Sequence, residues 1–346
     1  MSNTPRRKPS DPILEMKIPR VYGSTPTLFG SPFASSTEIL KEGNIAFLGI
    51  PWRAPTPDTR IGRSGANYEG TLLTPSAFRA SAIKYGGYLP ELDVDVFDQF
   101  HFVDRGDLPI PGDMGQLLDA VEAEVNAMLD AGCYPVTIGG NSGPSTYGVL
   151  KPIAARSNGS TAVVNFDAHH DNQIGEWAED DPTMPRWGST WARQILTLEG
   201  VDPEKYYHVG LRGPRNDRDT FARFQDRGVK RENIFTYREI KAARRSGFDE
   251  WAEATAAEIV DGADKVWMTI DPDVFDVSSN PDFGDEPLGP RAEEIIELAY
   301  QVGRAAGPQK FAGFSISATP YDAQTLHGIL IYMLLYTLAG VASASE

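Results

Sequence analysis

The chain has 346 residues, of which 41% are hydrophobic and 23% charged, a composition that fits a folded protein with a large core and excludes disorder throughout. Its 48 acidic and 32 basic residues leave a formal net charge of −16, which weighs against nucleic acid or an anionic membrane as a partner. The single cysteine, Cys133, excludes an internal disulfide framework and a thiolate zinc site.

Residues 1–35 are rich in Pro, Ser, Thr and Gly and carry no hydrophobic period. They read as an N-terminal arm that wraps the domain or reaches a neighbouring subunit. Arg6, Arg7 and Lys8 have no apolar run behind them, so no signal peptide is expected and the location is read as cytoplasmic. From residue 36 to 346 short apolar runs alternate with amphipathic stretches, and no repeat or linker divides them. Asn44–Ile50, Tyr134–Ile138, Thr161–Phe166, Tyr206–Leu211, Lys265–Ile270 and Lys310–Ile316 read as buried strands. Helical spacing is clearest over Gly115–Ala131, Phe248–Ile259 and Arg291–Ala306. The most apolar stretch, Leu326–Ala342, falls a little short of the ~20 residues of a membrane span and reads as a buried core helix. The alternation predicts one parallel sheet with helices on both faces, an α/β protein with a single main domain.

In such sheets ligands gather outside the carboxyl ends of the strands, so the residues after each strand matter most. Ile138 is followed by Gly139-Gly140-Asn141-Ser142, and Phe166 by Asp167-Ala168-His169-His170-Asp171. Ile270 is followed by Asp271-Pro272-Asp273, with Asp276 just beyond. Four carboxylates and an imidazole would crowd several negative charges together unless a divalent cation neutralised them. An oxygen-rich set with one nitrogen suits Mn²⁺ or Ni²⁺ better than a thiolate-type metal. Aspartates also serve as helix caps and turn residues. Two such motifs at successive strand ends favour the metal.

The segments VVNFDAHHDN and MTIDPDVFD resemble the two aspartate motifs of the ureohydrolase family, which includes arginase, agmatinase, guanidinobutyrase and guanidine hydrolase. Further matches are PRVYGSTPTLFGSPF, FLGIPW, GANYEGTLLTPSAFRASAIKY, VTIGGNSG, HVGLRG, DEPLG around Glu286, and SATPYD. They run in family order from about Pro19 to the C-terminus. The resemblance implies a three-layer α/β/α fold with a parallel eight-stranded sheet, and a pair of Mn²⁺ or Ni²⁺ ions that hydrolyse a guanidino group. Carried over by motif, Asp167 and Asp271 bridge the two ions, His169 and Asp273 complete one site, and Asp171 serves the other.

Three positions depart from the family pattern. Ser142 stands where a ligand histidine belongs, and a neutral hydroxyl is a far weaker divalent ligand than imidazole. Trp187, in RWGSTWARQ, occupies the place of a substrate-contacting histidine. Ile316 occupies the place of the glutamate that binds the guanidinium, and an apolar side chain cannot accept its hydrogen bonds. Of the five histidines, His170, His208 and His327 are expected to point elsewhere, and His101 lies in a loop of open position. The losses imply at most one bound ion, or none, and a chain without catalysis of its own.

This pattern resembles the non-catalytic β-type subunit of heteromeric nickel ureohydrolases such as metformin hydrolase and dimethylguanidine hydrolase. It implies a paralogous catalytic partner and a hetero-oligomer, a hexamer by family habit. The competing reading is an active agmatinase-like or guanidinase-like hydrolase with an altered or single-metal site.

Overall fold

The apolar runs become strands because each carries residues that two helical layers can cover at once. The computed structural model describes residues 18–53, 71–140, 143–173, 189–281 and 286–344. Its central sheet has eight strands: β1 (Ile45–Ile50), β2 (Phe102–Asp107), β3 (Tyr134–Gly139), β4 (Thr161–Phe166), β5 (Val201–Leu211), β6 (Ile234–Thr236), β7 (Lys265–Ile270) and β8 (Phe311–Ile316). The order across the sheet is β6-β5-β4-β7-β8-β3-β1-β2, and every pairing is parallel. The strands expected from the sequence are all present, with β5 starting earlier, at Val201. The two strands that the sequence reading lacked, β2 and β6, are the sheet edges.

Alternate side chains sort to opposite faces. Phe47, Ile138, Val164, Met268 and Phe314 pack on one face beneath α1 (Thr74–Ala82), α4 (Phe248–Val260), α5 (Ala292–Lys310) and α6 (Gln324–Ser343). Leu48, Val163 and Trp267 face the other way, toward α2 (Met114–Asp130) and α3 (Tyr147–Ala154). The result is the three-layer α/β/α arrangement. Helix α2 shows how the sequence achieves it: the Asp113 side chain caps the first turn by accepting from Gln116 N at 3.0 Å. Leu117, Val121, Val125 and Met128 then form its buried stripe.

Helix α6 is longer than the apolar run Leu326–Ala342 within it. Its 20 residues are long and apolar enough to cross a membrane, so length does not decide the matter; burial does, with 72% of the apolar window covered within the fold. It is a core helix, packed along α5.

The described part of the N-terminal arm lies on its own domain. Asp104 of β2 donates its N–H to Pro32 O at 2.9 Å and accepts from Ala34 N at 2.8 Å. The Asp104 carboxylate also accepts from Leu28 N at 2.7 Å, and Leu28 itself is fully buried.

Because all eight strands run the same way, the loops after β3, β4, β7 and β8 share one edge of the sheet. The Gly139-Gly140 pair allows close approach there: a Cβ on Gly140 would collide with the Trp52 carbonyl, and one on Gly139 with the Ser145 side chain.

Candidate metal centre

The loops after β4 and β7 are knitted together by their own carboxylates. Asp167 Oδ1 accepts from His169 N at 2.7 Å, and Asp271 Oδ1 accepts from Asp273 N at 3.0 Å, capping a short 3₁₀ turn, Pro272–Val274. Asp273 Oδ1 accepts from Ala168 N at 3.0 Å, tying the second loop to the first. His169 Nδ1 stands 2.7 Å from Asp273 Oδ2 and 4.0 Å from Asp167 Oδ1. Ligand atoms of Asp167, His169 and Asp273 all fall within 4.8 Å of one another. Asp167 Oδ2 is buried with no hydrogen-bond partner.

The electrostatics follow from this crowding. Burial, then the Asp171 and Asp273 carboxylates, hold Asp167 well above the usual carboxylate range. Asp271 is raised likewise, by burial and then by Asp273. Burial pushes Asp171 up to about 7. Burial alone would lower His169, but Asp273, helped by Glu286, overrules it and pushes the imidazole up to about 12. Burial would likewise raise Asp273, and His169 outweighs it, so that carboxylate is lowered.

With this geometry in place, comparison with known proteins is decisive. The arginase family model matches residues 43–322. The chain belongs to the arginase family. Agmatinase of Bacillus subtilis (strain 168) is 26% identical over 273 residues, 77% of this chain and 85% of that protein. Proclavaminate amidino hydrolase from Streptomyces clavuligerus superposes with a TM-score of 0.74 at 23% identity, covering 94% of this chain and 99% of that one. Trypanosoma cruzi formiminoglutamase, solved with Mn²⁺, gives a TM-score of 0.73 at 18% identity over 92% of this chain and 99% of that one. At these identities the two structures bear on the fold.

The arginase-family cluster fits a divalent cation. It offers carboxylate oxygens and one imidazole, and an orphaned, buried Asp167 Oδ2 is the kind of atom that a cation would satisfy. Of the residues expected from the sequence, Asp167, His169 and Asp273 are brought together. Asp271 and Asp171 lie in the same two loops and act on the cluster through space. Asp171 has a left-handed backbone, φ 41°, a strained conformation for a non-glycine residue. Its Oδ2 accepts from the Trp191 indole N–H at 2.8 Å. Asp276 is absent from the cluster and caps its own turn, accepting from Ser279 N at 3.1 Å. Ser142 and Trp187 lie outside the described residues. Ile316 ends β8, registers with Ile270 and Ile138, and is fully buried in the apolar core.

All five histidines are described, and four of them are occupied elsewhere or remote. His170 Nδ1 accepts from Asn172 N at 3.0 Å. His327 Nε2 donates to Pro320 O at 2.8 Å. His101 is exposed just before β2, at the amino edge of the sheet, opposite the cluster. His208, on β5, donates from Nε2 to Asp167 O at 3.1 Å, and burial lowers it to about 3. It therefore supports the Asp167 backbone as a neutral ring.

Sequence reasoning gave no role to Glu286, Arg212 or Trp191. Glu286 Oε1 lies 3.2 Å from His169 Nε2. The Arg212 guanidinium donates to the carbonyls of Asp273, at 2.5 Å, and of Phe275 and Glu286, both at 3.1 Å. The available signals are weak: DEPLG and HVGLRG stand out as motifs, but neither spacing shows which loop they meet.

An unusual pH dependence follows for the chelator-stripped chain. Asp171 holds its proton more tightly when folded, about 7 against an ordinary 3.8, so its contribution is present below pH 3.8 and is lost as pH rises through 7. His169, at about 12 against an ordinary 6.5, contributes fully below 6.5 and loses that contribution as pH climbs toward 12. Both terms have the same sign. His170 and His208, lowered by burial to about 4 and about 3, work against them only up to their ordinary 6.5, so the thermal midpoint is expected to fall between about pH 7 and pH 9. Thermal unfolding in chelator checks this; a midpoint that rises over that window would contradict the protonation pattern.

Proposed function

We propose that this arginase-family chain is a non-catalytic assembly subunit of a heteromeric hydrolase of guanidino or biguanide compounds, metformin and dimethylguanidine among them, working beside a paralogous catalytic subunit. The observation that carries the reading is that His169 alone, of five imidazoles, has a ring nitrogen against the carboxylate cluster. A guanidinium is a resonance-stabilised cation that neutral water attacks poorly. Paired divalent ions supply such chemistry with a nucleophile at neutral pH. In this chain Asp167, His169, Asp271 and Asp273 would hold one ion. The Asp171 side has no imidazole, because Ser142 stands at that position and the other histidines are placed elsewhere.

At the position where the resemblance puts the guanidinium-binding glutamate, Ile316 is buried in the core and offers a guanidinium no acceptor. A buried cation without a partner costs several kcal/mol. The chain therefore contributes structure to an assembly, which we take to be a hexamer using Ni²⁺ or Mn²⁺ in the cytoplasm. A second reading, a hydrolase with an altered or single-metal site, draws on the retained Asp171 and Asp271.

The purified chain, supplied with Mn²⁺ or Ni²⁺ and a panel of guanidines, is expected to show no turnover. Co-expression with a paralogue carrying all six ligands is expected to give an active complex. Enzyme-like turnover by the chain alone would overturn the proposal in favour of the second reading.

A further inference from the structure

We infer that Glu286 is a positioning residue for the metal half-site, fixing His169 so that Nδ1 faces Asp167 and Asp273. The inference rests on the one-ion reading of the site. His169 is held from both ends of its ring: Nε2 donates to Glu286 Oε1 across 3.2 Å, while Nδ1 lies 2.7 Å from Asp273 Oδ2. In the metal-free chain Nδ1–H donates to Asp273. Once a cation displaces that proton, the proton kept at Nε2 by Glu286 leaves the Nδ1 lone pair on the side where the carboxylates converge. A carboxylate behind the far nitrogen is the usual support for a metal-binding histidine, fixing its tautomer and raising its basicity.

Glu286 is itself built into place. It is 7% exposed, and Arg212 grips its carbonyl at 3.1 Å together with that of Phe275, the two ends of the loop. Gly213, at φ +83°, lies so close that a Cβ there would strike the Glu286 carboxylate. Loops after β5 and β7 thus combine to seat one acid against one imidazole. The Asp171 side is supported differently, by the Trp191 indole.

The test is Glu286→Gln, which keeps the shape and removes the charge. Mn²⁺ is titrated calorimetrically into the chelator-stripped full-length chain, wild type and variant. Binding is expected to weaken about 10–100-fold. In the Zn²⁺-loaded chain, the hydrogen-bonded Nε2 proton resonance of His169 is expected to move upfield, a change that a merely structural role would not produce. Should Glu286→Gln fail to fold, Gly213→Ala displaces the intact carboxylate and is expected to weaken Mn²⁺ binding over the same range.

Mn²⁺ affinity within about twofold of wild type in a folded variant, far below the effect expected of such a support, would overturn the inference. So would an unmoved Nε2 proton. Neither readout uses turnover. Activity of the wild-type chain alone would overturn the assembly role and leave the assignment of Glu286 standing.

Discussion

Replacing Arg79 with methionine is expected to cost about 3–5 kcal/mol of folding stability, the usual effect of removing one partner from a buried ion pair. Arg79 is fully buried on α1. Its Nε and Nη2 donate to the two oxygens of Asp104 at 2.8 and 2.9 Å, and Nη1 donates to Asp107 Oδ1 at 2.5 Å. One guanidinium therefore answers two carboxylates on the edge strand β2, while stacking over Phe47 with Cζ 4.8 Å from the ring centroid. Methionine keeps the volume and leaves Asp104 buried without a cation.

The effect should reach the arm as well. Asp107 Oδ2 accepts from Tyr22 OH at 2.5 Å, and Asp104 accepts from Leu28 N at 2.7 Å. Adding Asp104→Asn to the methionine variant removes the stranded charge, so the double variant should lose less than the sum of the two singles. Urea unfolding of the three variants measures this. A loss below about 1 kcal/mol for the methionine variant would mean that the triad is no stronger than an exposed pair.

The same triad explains what the sequence concealed. Central strands announce themselves because both faces are covered, as in TAVVNF and KVWMTI, each of which became a strand with the expected bounds. The edge strand β2 reads FVDRGD, and its charges look like a loop until Arg79 is known to lie beneath them. β6 is three residues long and has no pattern to find.

At the site, Asp167, His169 and Asp273 were legible because alternate residues after a strand share a direction. Glu286 was not, since its partner lies 117 positions away and only the meeting of two loops joins them. Trp191 was hidden for a different reason. An indole in an apolar helix reads as core, and it is core; its N–H alone is turned to Asp171. His208 is similar: its place inside a strand suggests a ring turned away from the site, yet that ring bonds the Asp167 carbonyl.

The fate of the two half-sites separates an assembly subunit from an enzyme. On the proposed reading one half-site would use Asp167, His169, Asp271 and Asp273, of which the structure gathers Asp167, His169 and Asp273, with His169 braced between Asp273 and Glu286. The other would draw on Asp171, engaged by Trp191, and in the sequence Ser142 stands where the family resemblance puts a histidine. Carboxylates alone are a poorer match for Mn²⁺ or Ni²⁺ than carboxylates with a nitrogen donor, so the Asp171 side is the weaker of the two. Elemental analysis of the full-length chain, purified alone after growth with Mn²⁺ or Ni²⁺, measures the outcome directly. The expected result is at most one ion per chain; two tightly held ions per chain would contradict the one-ion site and the inactivity built on it.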